Sequence, residues 1–138
     1  VFFNIINGFT NGYFLGYLAQ YDFNYIYSQQ FIIGFIVLVL GVVINVKSDN
    51  ILIGIKKKHN DYQIPNGFMY KYISCPNYFG EIIEWVGFYI VTASAPALVF
   101  VFWTMCNLIP RAISNHNWYL NKFSDYPKNR KAVIPFQI

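Results

Sequence analysis

Polar and apolar positions divide the chain into long uncharged runs separated by short charged stretches. Residues 1–21 carry no charge, and Gly8, Gly12 and Gly16 recur there at four-residue spacing. On a helix these glycines form one stripe, which predicts close approach by a neighbouring helix in lipid. Residues 22–30 read as a short, Tyr-rich connection. Residues 23–46 contain no charge, with an apolar heart at 31–44. About 20 residues rising 1.5 Å each cross a bilayer core, so this run predicts a transmembrane helix.

Residues 45–80 change character, with Asp49, Lys56-Lys57-Lys58, Asp61, Pro65, Asn66-Gly67 and Cys75-Pro76. Proline and the Asn-Gly pair mark turns, which predicts a polar loop against the membrane with short helical pieces. Residues 85–110 are again uncharged and long enough to cross. Pro96 lies inside that run and predicts a kink or a break. Residues 111–138 are basic, with Trp118, Tyr119, Phe123 and Tyr126 interleaved. They predict a helix near the headgroups and then an extended end through Pro127 and Pro135. A single crossing by 85–110 would put two basic segments on opposite sides, against the positive-inside rule. A break at Pro96 that lets 78–93 enter and return would keep them together, since non-helical backbone is tolerated at depth where protein covers it.

Composition agrees with burial in lipid: 56% of the 138 residues are hydrophobic and 12% are charged. A soluble domain carries about 25% charged residues. The net charge of +4 gathers outside the apolar runs, in Lys56-Lys57-Lys58 and in Lys128, Arg130 and Lys131. Positive flanks of membrane helices explain it more simply than nucleic-acid binding. Cys75 and Cys106 suggest no disulfide framework. His59 and His116 lack metal-ligand spacing, so no metal is expected. No GxGxxG motif is present. The chain begins at Val1 without a basic n-region, which reads as the later part of a longer protein rather than as a signal peptide.

The candidate chemistry lies in polar residues beside the apolar runs. Asn45 and Asp49 are four apart and share a helix face, which Lys56 continues if the helix persists. Asn77, Glu81 and Glu84 form a second face, and Arg111, Asn115 and Tyr119 a third. A carboxylate on a membrane helix is costly and usually faces a cavity or a partner. Each set alone suits a solvated helix end; the three together favour a polar cavity. Cations, amides and hydroxyls suit a ligand with phosphates and an amide, such as a dinucleotide.

The same residues carry a family resemblance. The stretches Gly41-Val42-Val43-Ile44-Asn45-Val46-Lys47-Ser48-Asp49, Ile64-Pro65-Asn66-Gly67 and Asn77-Tyr78-Phe79-Gly80-Glu81-Ile82-Ile83-Glu84-Trp85 resemble the C-terminal domain of the steroid 5α-reductase family. So do Pro96-Ala97-Leu98, Pro110-Arg111-Ala112 and the tail from Tyr126 to Phe136. The resemblance implies an all-α, multi-pass transmembrane helical bundle, with residues 1–138 forming the C-terminal half of the fold. It implies an oxidoreductase of the endoplasmic reticulum membrane that uses NADPH to reduce a 3-oxo-Δ4-steroid or a similar lipid enone. By motif match, Asn45, Asp49, Lys56, Tyr62, Asn77, Glu81, Arg111, His116, Tyr119 and Arg130 are the expected cofactor residues, with Arg130 serving the cofactor or the fold. Lys56 stands where the family usually has Arg. Ile53 replaces another Arg, and Ser114-Asn115 replaces part of a His run. The family's carbonyl-polarising Tyr and Glu are expected upstream, so no catalytic acid is assigned here.

Alternatives stay open at this point. One is a sister reductase of an enoyl thioester or a polyprenal. Another is a membrane methyltransferase of the isoprenylcysteine type, whose Glu- and His-rich motifs are absent. The last is a catalytically incomplete membrane relic.

Overall fold

The computed structural model describes residues 2–58 and 61–135. His59 and the Phe136 end of the tail motif lie outside them. Helix α1 spans Phe2–Tyr13 and runs into a π-helical turn, Phe14–Leu18. A 3₁₀ turn, Phe23–Tyr27, precedes α2, Gln29–Lys58. After a second 3₁₀ turn, Phe68–Lys71, come α3, Pro76–Thr92, and α4, Ala95–Lys122. The architecture is all-helical, as expected, with one isolated bridge, Ile73 to Lys131, among the described residues.

Three expectations change. The first apolar helix begins at Gln29, not 23, and continues to Lys58, so the polar loop is much shorter than 45–80. Nothing between Lys47 and Lys58 breaks it: the stretch has no proline, and three lysines sit where cations complement the helix dipole. Residues 85–110 are not one crossing. Helix α3 ends at Thr92, and Ala93 takes the left-handed conformation at φ 46°. Ser94 then caps α4, its Oγ accepting from the Ala97 N–H at 3.1 Å. Pro96 thus opens a helix, where its missing N–H costs nothing. Finally, residues 111–122 form no separate surface helix; α4 carries straight through Pro110.

Glycines set the packing of α2 on α3. A Cβ on Gly41 would run into the backbone of Glu84 and Gly80, one on Gly80 into Asn45, and one on Gly87 into Leu38. Gly34 abuts Ile90 and Val91 in the same way. These pairings fix an antiparallel register in which the two backbones nearly touch, as small residues permit in lipid. The predicted stripe of Gly8, Gly12 and Gly16 behaves otherwise, with nothing among the described residues within 4 Å of any added Cβ.

The C-terminal carbonyls of α3 are met by side chains from the segment before α2 and from its first turn. The Tyr21 hydroxyl donates to Thr92 O, Tyr25 to Val91 O at 2.7 Å, and the Gln30 amide to Ile90 O at 2.9 Å. Helix ends otherwise leave such carbonyls unpaired, which is costly away from water. Beside them Ser94 Oγ reaches Asn11 Oδ1 and receives the Thr92 hydroxyl.

The helix directions bring the last turns of α2, the start of α3 and the last turns of α4 to one end. There residue 131 runs beside residues 72–75, with Ser74 N–H donating to Lys131 O at 2.8 Å and Cys75 N–H to Ala132 O at 3.0 Å. Val133, Ala132, Cys75, Ile82, Leu108 and Ala112 form a buried cluster beneath. All ten Lys and Arg residues sit at this end or on the helix halves approaching it, while Asp22 is the one charge at the other. Both basic segments therefore share a side, which the single crossing would have forbidden.

By length and composition, α2 and α4 can cross a membrane. Their most apolar windows have mean hydropathies of 2.4 and 1.5, yet only 17% and 28% of those windows are buried in the bundle. Helices that apolar and that uncovered differ from the core helices of a water-soluble domain, whose apolar stripe is packed away.

Candidate functional site

The charged end of the bundle assembles most of the expected residues. On α2, Asn45 lies against Gly80, and one turn on Asp49 accepts a hydrogen bond from Asn77 Nδ2 at 3.0 Å. Glu81 follows Asn77 by one turn of α3 and feels both Asp49 and Glu84. Burial raises its carboxyl above the usual glutamate range; Glu84 and Asp49 push the same way, and Arg111 opposes them. Two turns beyond Asp49, Lys56 lines a cavity of about 360 Å³ with Leu52, Ile55, Asp61, Tyr62, Gln63 and Tyr119. The Tyr62 ring meets Trp118 edge-on at 5.0 Å, and Tyr119 stacks on Tyr126 at 5.2 Å. Lys56 and Arg111 enter no hydrogen bond or ion pair among the described residues, which leaves both cations available to an anion.

His116 and Arg130 are placed differently. The His116 Nδ1 lies 2.6 Å from Ser74 Oγ, which also lies 2.7 Å from the Tyr126 hydroxyl. This chain of polar groups ties α4 to the start of α3 and to the tail. Arg130 is 4% exposed and donates to Pro65 O at 2.9 Å and to Asn66 Oδ1 at 2.8 Å, with its guanidinium over the Tyr126 ring. Its Nε has no partner among the described residues. The Asn66-Gly67 turn that Arg130 grips needs glycine, because Gly67 has φ 89°. Both residues border the cavity through Tyr126 and Tyr119, rather than lining it. Cys75, whose thiol burial pushes up to about 11, receives the Asn115 amide at 3.8 Å and is inert as a nucleophile.

Some of the geometry had no signal in the sequence. Asp61 and Gln63 line the cavity beside Tyr62. Ser74 and Tyr126 meet only because the tail returns to residues 72–75. A second feature lies on the flank of α4 toward α1: Phe3 stacks on Trp103 at 4.0 Å and on Phe100 at 5.7 Å, and Trp85 meets Phe100 edge-on at 4.1 Å. Aromatic spacing along one chain does not reveal that rings from three helices converge. Among the described residues no group of His, Cys, Asp or Glu could hold a metal ion.

Glu81→Gln separates charge from shape at this site. The raised carboxyl pKa means that ionised Glu81 weighs against the fold, so its contribution is most favourable at low pH and is lost as pH rises through the raised value. At neutral pH the Gln variant melts no lower than the wild type, and any gain shrinks as pH falls toward the ordinary range near 4.5. Thermal melts in detergent across that interval check this; a variant that melts several degrees lower at neutral pH contradicts it.

The profile of the 3-oxo-5-alpha-steroid 4-dehydrogenase family matches residues 1–138. Steroid 5-alpha-reductase DET2 of Solanum lycopersicum is 43% identical over 135 residues, covering 97% of this chain and 52% of that protein. The mouse 3-oxo-5-alpha-steroid 4-dehydrogenase 1 is 47% identical over 107 residues, covering 77% of this chain and 42% of that protein. The human 3-oxo-5-alpha-steroid 4-dehydrogenase 2 is 46% identical over 108 residues, covering 78% and 42%. The chain spans about half the length of the curated relatives it matches, or somewhat less.

Proposed function

This chain belongs to the 3-oxo-5-alpha-steroid 4-dehydrogenase family, and from that premise we propose that it is the cofactor-binding half of a membrane reductase. The complete protein saturates the C4=C5 bond of a 3-oxo-Δ4-steroid or a similar sterol enone. It resides as a multi-pass protein in the endoplasmic reticulum membrane, with the basic end toward the cytosol. The observation that carries the reading is the convergence of Lys56, Tyr62 and Tyr119 on one cavity, beside Asp49, Asn77, Glu81 and Arg111.

NADPH fits that donor set. Lys56 and Arg111 suit its phosphates, because neither enters a hydrogen bond or ion pair among the described residues, although Arg111 lies close enough to Glu81 for its charge to be felt there. Asp49 and Glu81 suit acceptance from ribose hydroxyls or a carboxamide, and Asn77 orients Asp49. The Tyr62 and Tyr119 rings offer faces against a flat base. When bound, the nicotinamide supplies a hydride to the β-carbon of an enone. Phe3, Phe100 and Trp103 give a planar apolar surface, suited to a fused-ring substrate. No residue of the chain is assigned the proton donation to the enone oxygen.

The complete protein prefers NADPH to NADH in this reading. Arg111→Ala weakens NADPH binding by about 1.5–3 kcal/mol, the worth of a charge-assisted hydrogen bond. Binding isotherms for wild type and variant test it. Equal use of NADH, or unchanged NADPH affinity in the variant, refutes the assignment.

A further inference from the structure

Two polar side chains, Thr104 and Asn107, lie on the apolar half of α4. Thr104 is buried, whereas Asn107 is exposed on the flank of the helix. A carboxamide facing hydrocarbon with unmet hydrogen-bonding groups is costly, and polar groups at such positions face a cavity or a partner. One Asn107 Nδ2 hydrogen is donated to Trp103 O at 2.8 Å. That bond fixes the amide's orientation. The Oδ1 lone pairs and the second N–H have no partner among the described residues.

Its place in the helix says what meets it. Trp103, stacked on Phe3, is one turn before Asn107, and Arg111 is one turn after. The carboxamide therefore stands where the aromatic surface gives way to the cofactor end. We propose that Asn107 is a substrate-recognition residue, whose Oδ1 accepts a hydrogen bond from a hydroxyl on the lipid enone. This rests on the reductase reading above. An apolar side chain here would leave a hydroxyl unpaired in a dry site, so the residue discriminates between enones that carry the hydroxyl and those that do not. The fixed amide aims an acceptor, and a hydroxyl is the lipid group that donates to one.

The test uses the complete protein in detergent or lipid, with NADPH. kcat/KM is measured for a parent 3-oxo-Δ4-steroid and for a panel of its monohydroxylated derivatives. The wild type favours at least one hydroxylated member over the parent. Asn107→Leu lowers that ratio roughly three- to tenfold, the effect of one hydrogen bond, while NADPH affinity stays put. Asn107→Ala, which leaves the surface open, lowers it too. A wild type that favours no hydroxylated member, or a ratio unchanged in both variants, overturns the role of Asn107 and leaves the reductase reading standing. Failure of the wild type to reduce any member overturns the reductase reading, and the role of Asn107 falls with it.

Discussion

Gly41→Val abolishes the folded bundle. The residue at 41 faces the backbone of Glu84 and Gly80 with no space for a Cβ, let alone two methyl groups. Relief would need α2 and α3 to part along their whole antiparallel length, because neighbouring contacts at Gly34, Gly80 and Gly87 are equally tight. Overpacking a well-filled interior costs about 1–3 kcal/mol where the surroundings yield. Here the obstacle is backbone, so the loss exceeds about 3 kcal/mol, a large part of an ordinary domain's 5–15 kcal/mol. The variant should aggregate on size-exclusion chromatography in detergent and lose protection from protease. Gly54→Ala is the control on the same helix: its added Cβ meets nothing within 4 Å. It should be neutral or gain up to about 1 kcal/mol from helix propensity. A monodisperse Gly41→Val protein that melts with the wild type refutes the packing described above.

Arg130→Ala is the second large effect. It removes both donors from Pro65 O and Asn66 Oδ1, and it empties the space over the Tyr126 ring. Leaving buried acceptors unmet after loss of a charged donor costs about 2–4 kcal/mol. The melting temperature should fall clearly, with NADPH affinity falling as a consequence, because the Pro65-Asn66 turn follows the segment that carries Asp61, Tyr62 and Gln63. Arg130→Lys keeps the charge but loses the planar fork, and lands between the two. If Arg130→Ala binds NADPH weakly yet melts like the wild type, the guanidinium contacts the cofactor itself and the turn is held by other means.

The parts of this architecture that depend on short spacings were legible in the chain. Asn45 and Asp49, or Asn77 and Glu81, share a face by helix periodicity alone, and the structure places these pairs against each other across α2 and α3. A break near Pro96 is expected from the missing N–H of proline; it falls at Ala93 and Ser94, with Pro96 in the first turn of α4. Pro110 breaks nothing. A proline inside a helix forfeits one backbone bond and crowds the preceding turn, but α4 continues to Lys122 around its buried residues Leu108 and Ala112. The glycines needed a partner to be interpreted: Gly8, Gly12 and Gly16 had the more regular spacing, yet Gly41 and Gly80 carry the contact. Ser74 with His116 and Tyr126, and Arg130 with Pro65, join residues 42 to 65 positions apart. No local pattern encodes such pairs.

The bridge between Ile73 and Lys131 also orders events in time. A ribosome adds about 5–20 residues per second, so several seconds separate the synthesis of residue 73 from that of residue 131. Within that interval α3 is completed and can pair with α2, while Ile73 and Cys75 still lack the backbone and packing partners that residues 131–133 supply. The nascent chain presents a half-built apolar surface until residues 131–133 emerge. Codons that slow translation between α4 and the tail would lengthen that exposure without changing a single amino acid.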